Sequence, residues 1–99
     1  MLNLNSNSIL DDITIFLFYL NREKKISYLE YLEEEESLNF FIKDTSYNYL
    51  YFFRVTLYNN SLVNLEIIDD LSGDLLEERI LNLKNFYSTI NSYIRNNSY

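Results

Sequence analysis

The sequence predicts an α+β fold: a four-stranded antiparallel meander flanked by an N-terminal helix and a long C-terminal helix. Three observations carry that expectation. Within residues 48–58 every odd position is apolar or aromatic while the even positions include Arg54 and Thr56, and within 62–68 Val63, Leu65 and Ile67 alternate with Asn64 and Glu66. An apolar stripe at helical spacing then runs from Leu76 to Ile94.

The elements follow in order. Residues 1–7 lack a clear period and read as a frayed start. Ser8 with Asp11 three residues on is a capping-box pattern, which places a helix start at Ile9. Ile9, Ile13, Phe16, Leu17 and Leu20 share one face of that helix, and Asn21 to Lys25 breaks it. A second helix over 26–36 would set Lys24 and Lys25 at its positive end and Glu33 to Glu36 at its negative end. The macrodipole disfavours that order, so Ile26 to Leu32 reads as a strand followed by a glutamate-rich turn.

Register comes from matching apolar faces, because a slip of one residue would turn every side chain over. A three-residue loop at Asn59-Asn60-Ser61 pairs Leu57 with Val63, Val55 with Leu65 and Phe53 with Ile67. It also sets Arg54 opposite Glu66. A loop at 44–47 would pair Ile42 with Tyr49 and Phe40 with Tyr51, and one at 33–36 would pair Tyr31 with Leu38 and Leu29 with Phe40. Asp74 with Glu77 forms a second capping-box pattern, predicting one helix over about 75–95 with Leu76, Ile80, Leu83, Tyr87, Ile90 and Ile94 along its stripe. Residues 96–99 are expected to fray. With 99 residues, 47% hydrophobic and 23% charged, the chain is one small domain.

Composition narrows the function. There is no histidine and no cysteine, which removes the commonest general base, the usual neutral metal ligand and all thiolate chemistry. Asp11-Asp12 and Asp69-Asp70 are paired carboxylates, but a first helical turn and a strand end explain them. Asp69 to Asp74 lacks the ligand spacing of a calcium loop, and the one glycine rules out a Gly-rich phosphate loop. No catalytic residue, cofactor or metal is therefore expected. The apolar run Ile13 to Leu20 is too short to span a membrane, so the chain reads as cytoplasmic.

The net charge of −7 disfavours nucleic acid and anionic membranes as direct ligands and favours a basic protein partner. Tyr, Asn, Ile and Phe abound as A/T-rich codons would give, yet the only lysines are Lys24, Lys25, Lys43 and Lys84. Lysine codons are A/T-rich too, so the acidity looks selected. Two base-free clusters concentrate it: Glu30 with Glu33, Glu34, Glu35 and Glu36, and Glu66 with Asp69, Asp70, Asp74, Glu77 and Glu78. The expectation is that they meet at one end of the sheet as a continuous acidic rim. The outward face of the strands carries Tyr28, Phe41, Leu50, Phe52, Tyr58 and Leu62, and its aromatics are anchors of the kind protein interfaces use.

These features predict a small inhibitor or modulator, carried by a mobile element or virus, that docks its carboxylates on a nucleic-acid-binding surface of a target. In size and charge alone it is comparable to the inhibitors of nucleic-acid-targeting defence systems. The alternatives are an immunity protein, antitoxin or chaperone for one cognate partner, or a homodimer or larger homo-oligomer that buries the aromatic face against itself.

Overall fold

The computed structural model describes residues 9–44 and 49–97. Its order is α1 (Ile9–Arg22), β1 (Ser27–Leu32), a 3-10 turn (Glu33–Glu35), β2 (Ser37–Asp44), β3 (Tyr49–Leu57), β4 (Val63–Asp69), β5 (Leu75–Leu81) and α2 (Leu83–Asn97). The strands form one antiparallel meander, β1-β2-β3-β4-β5, so the architecture is α+β with a helix at each end.

The sheet has five strands rather than four, because the residues assigned to the start of the long helix form β5. Asp74 does not cap a helix. Its carbonyl accepts from Asp69 N–H at 2.9 Å and closes the β4–β5 hairpin, while Gly73 takes φ 77 in the turn. β5 then occupies the otherwise open edge of β4, pairing Val63 with Leu81 and Leu65 with Arg79. Helix α2 starts at Leu83, capped by Asn82, whose Oδ1 accepts from Asn85 N–H at 2.8 Å. Leu76 and Ile80 consequently leave the helical stripe and are half-exposed on the edge strand.

The β3–β4 register is the expected one, including Leu57↔Val63, Val55↔Leu65, Phe53↔Ile67 and Arg54↔Glu66. β2 and β3 are offset by two residues from the expected pairing: Ile42 faces Tyr51 and Phe40 faces Phe53. A two-residue slip keeps every side chain on its face, so alternation cannot detect it. Of the loop expected at 44–47, Asp44 belongs to β2 and the rest lies outside the described residues. On β1, Tyr31 faces Leu38 as expected, but the ladder shifts between Ser27 and Glu30, which removes the Leu29–Phe40 pair. Tyr28 lies in that irregularity with φ 55. Ser8 and residues 1–7 lie outside the described residues, as do 98–99; α2 reaches Asn97, into the segment expected to fray.

Both helices pack on the same face of the sheet. Leu38, Phe40, Ile42, Phe53, Val55, Val63, Leu65 and Ile67 are buried there under Ile13, Leu17, Phe86 and Ile90. Phe40 and Phe53 stack at 5.1 Å, and Phe16 of α1 meets Tyr87 of α2 at 4.5 Å. Each fully buried large side chain contributes about 1.5–3 kcal/mol of transfer free energy, which is what holds the helices down.

Candidate protein-docking face

With both helices on the inner face, no described helix covers the outer one. Strand alternation arranges that face in rows across the sheet. The first row joins Phe41, Phe52 and Ile68 through the pairs Phe41↔Phe52 and Phe52↔Ile68. Tyr28 extends it: the ring meets Phe41 edge-on at 5.7 Å, and Phe41 meets Phe52 at 5.1 Å. Tyr28 is 76% exposed, so the row ends in an aromatic ring standing in solvent.

The next row reads Glu30, Asn39, Arg54, Glu66 and Glu78. It sets three carboxylates against one guanidinium. Arg54 Nη1 lies 3.9 Å from Glu66 Oε1, and its Cζ sits over the Phe52 ring at 5.6 Å. Glu66 and Glu78 are directly opposed like charges, an arrangement that costs stability. Asn64 Nδ2 relieves part of it by donating to Glu78 Oε2 at 3.1 Å. Asn39 and Ser37 are buried on this face, yet Asn39 Oδ1, Ser37 Oγ and Arg54 Nε have no hydrogen-bond partner among the described residues. Such groups cost about 1–3 kcal/mol each when left unsatisfied.

Beyond the charged row, Thr56, Tyr58, Asn64, Glu78 and Ile80 line a shallow groove of about 620 Å³. Tyr58 stands at its rim, where its N–H donates to Leu62 O at 3.0 Å in the β3–β4 turn. The face thus brings together Glu30, Phe41, Phe52, Glu66 and Tyr58. Leu50 pairs with Lys43 in the ladder.

The continuous acidic rim does not form. Turns in a meander alternate between the two ends of the sheet, so the β1–β2 turn shares an end with the β3–β4 turn. Leu57 N–H donating to Glu36 O at 3.3 Å fixes Glu33, Glu34, Glu35 and Glu36 there. Asp69 faces Tyr51 at the opposite end, with Asp70 beyond it in the β4–β5 turn. Asp69 has a structural task in that turn: its Oδ1 accepts from Leu71 N–H at 2.8 Å and Ser72 N–H at 3.3 Å. The two acidic ends are therefore separated by the length of the strands, and Glu66 and Glu78 lie between them.

Two surfaces escaped the sequence reading. On α1, Ile15, Phe18 and Tyr19 are more than half-exposed, with Arg22 Cζ 5.9 Å from the Tyr19 ring. The signal was the apolar run Ile13 to Leu20, which is too continuous for a helix with a single buried side. The other is a polar groove of about 540 Å³ between α2 and the edge of the inner face, lined by Tyr51, Glu77, Arg79, Ser88, Ser92 and Tyr93. There Tyr93 OH donates to Glu77 Oε2 at 3.1 Å, and Glu77 is also ion-paired with Arg79. Desolvation, reinforced by the Glu77 carboxylate, pushes the Tyr93 hydroxyl up to about 12.

Among the described residues no group of three or more acidic side chains gathers as a metal site, and no helix is long and apolar enough to cross a membrane. No family model, curated protein or solved structure matches the chain.

Proposed function

We propose that this protein is a small acidic binding module that inhibits or modulates a protein partner by docking the outer face of its sheet on a basic surface. The observation that carries the reading is the placement of both helices on one side, which leaves an aromatic row and a carboxylate-rich row side by side on the other. The aromatics supply desolvated anchors, and the carboxylates supply fixed negative charge at the spacing of neighbouring strands. A surface that normally holds nucleic-acid phosphates is the complementary target, since the net charge of −7 steers the chain toward it. The glutamates at 33–36 extend the negative field beyond one end of the face. A mobile-element or viral origin, with the host cytoplasm as the place of action, accords with that role.

The test is affinity capture from the native host with the intact chain, followed by binding measurements on the captured protein. Phe52→Ser and the double change Glu66→Lys with Glu78→Lys should each weaken binding at least tenfold, and added salt should weaken it further. A partner held equally well by both variants and at high salt would sink the reading.

A further inference from the structure

Among the described residues the sheet has two unpaired edges, β1 and β5, and they differ. The β1 edge is interrupted in mid-strand by the shift between Ser27 and Glu30, with Tyr28 at φ 55, and is preceded by Lys24 and Lys25. Breaks and lysines of this kind discourage a further strand from adding. The β5 edge has neither lysine nor proline, and its one irregularity lies at its start, opposite Ile67 and Ile68. Leu76 and Ile80 are 51% and 50% exposed along it.

We infer that β5 pairs with β5 of a second copy, antiparallel about a twofold axis at Glu78. Tyr58 N–H donating to Leu62 O turns the even residues of β4 toward β3, and the odd residues toward β5. Leu65 is matched with Arg79, so Glu78 and Ile80 direct their N–H and C=O groups to the free edge. A twofold antiparallel pair must then be centred to match even residues with even ones. Centred at Glu77, it sets Glu77 against Glu77 and Leu76 against Glu78. Centred at Arg79, it sets Arg79 against Arg79 and Glu78 against Ile80. Centred at Glu78, it sets Leu76 against Ile80 and Glu77 against Arg79, each twice by symmetry. The stretch Leu76-Glu77-Glu78-Arg79-Ile80 is self-complementary in this register. Its one unfavourable pair is Glu78 with itself, and each Glu78 carboxylate already leans inward to Asn64. The resulting ten-stranded sheet leaves the aromatic rows of both outer faces open but shares Glu78 and Ile80 with the docking face proposed above, so changes at Glu77 and Arg79, which the docking test leaves intact, separate the two.

The experiment is light scattering of the intact chain over a concentration series, with two sets of variants. The wild type forms a dimer. Glu77→Arg and Arg79→Glu, each of which opposes like charges across the axis, lose it, and the two together restore it. Because the chain has no cysteine of its own, Glu78→Cys should give a covalent dimer on mild oxidation, whereas Glu30→Cys on the β1 side should not. A wild type that stays monomeric at high micromolar concentration overturns the inference. So does a dimer whose Glu78→Cys crosslinks no faster than Glu30→Cys, or one that the charge swap fails to restore.

Discussion

The inner and outer faces of the sheet are built by the same strands, residue by alternate residue, and end in opposite states. On the inner face of β3, Phe53 and Val55 are fully buried beneath the helices, with Phe53 edge-on to Tyr93 of α2. One residue away on the outer face, Phe52 and Arg54 are only partly covered, and what covers them is their own sheet neighbours. The inner face spends its apolar surface on the fold; the outer face keeps aromatic surface that the fold does not use. Apolar content alone therefore does not mark the core. On β4, Val63, Leu65 and Ile67 are buried on the inner side, whereas Ile68 and Glu66 stand on the outer one beside Phe52 and Arg54.

The sharpest way to break this comparison is to truncate neighbouring phenylalanines. Phe53→Ala should cost about 3–5 kcal/mol in chemical denaturation, since it leaves a cavity beneath α2. Phe52→Ala should cost only about 1 kcal/mol, because that ring is already partly in solvent. Equal losses would mean that the outer face is as much a core as the inner. Next in size is the device that seats α2 on the inner face: Asn82→Ala should lower stability by about 1 kcal/mol through loss of the cap.

Much of this arrangement was legible in the residues. Alternation over β3 and β4, with the Arg54–Glu66 match, fixed the central hairpin, and the dipole argument correctly turned 26–32 into a strand. Alternation was silent on the two-residue offset of β2 against β3, since both registers bury the same side chains. β5 was hidden by coincidence. Leu76 and Ile80 fall in phase with Leu83, Tyr87, Ile90 and Ile94, so the periodicity draws one helical stripe straight through Asn82. The acids-first charge order pointed the same way, yet α2 has no acid in its first turn. Asn82 with Asn85 was the available mark of the true start. Of the candidate site, Phe41, Phe52 and Glu66 were placed on one face by alternation alone. The acidic rim failed on the geometry of turns, because the first turn and the fourth lie at opposite ends of a meander.

Smaller effects sharpen the contrast at the borders of each face. Tyr93, at the edge of the inner face, has its hydroxyl raised from 10.0 to about 12 by burial and by Glu77. The folded state therefore holds this proton more tightly than the unfolded chain. The stability linked to it is fully present below pH 10.0 and is lost as pH rises through about 12. Alkaline denaturation should show that loss in the wild type, and Tyr93→Phe should remove it. Smallest of all is the outer-face pair of Arg54 and Glu66 at 3.9 Å, half in solvent. A double-mutant cycle should find a coupling below about 1 kcal/mol, shrinking with salt.

The most direct measurement is hydroxyl-radical footprinting of the intact chain, free and bound to its captured partner. In the free chain Tyr28, Phe41 and Phe52 should be oxidised while Phe40 and Phe53 stay silent, and partner binding should protect the first three. Oxidation of Phe41 and Phe52 that the bound partner leaves unchanged would contradict the assignment of the outer face as the docking surface.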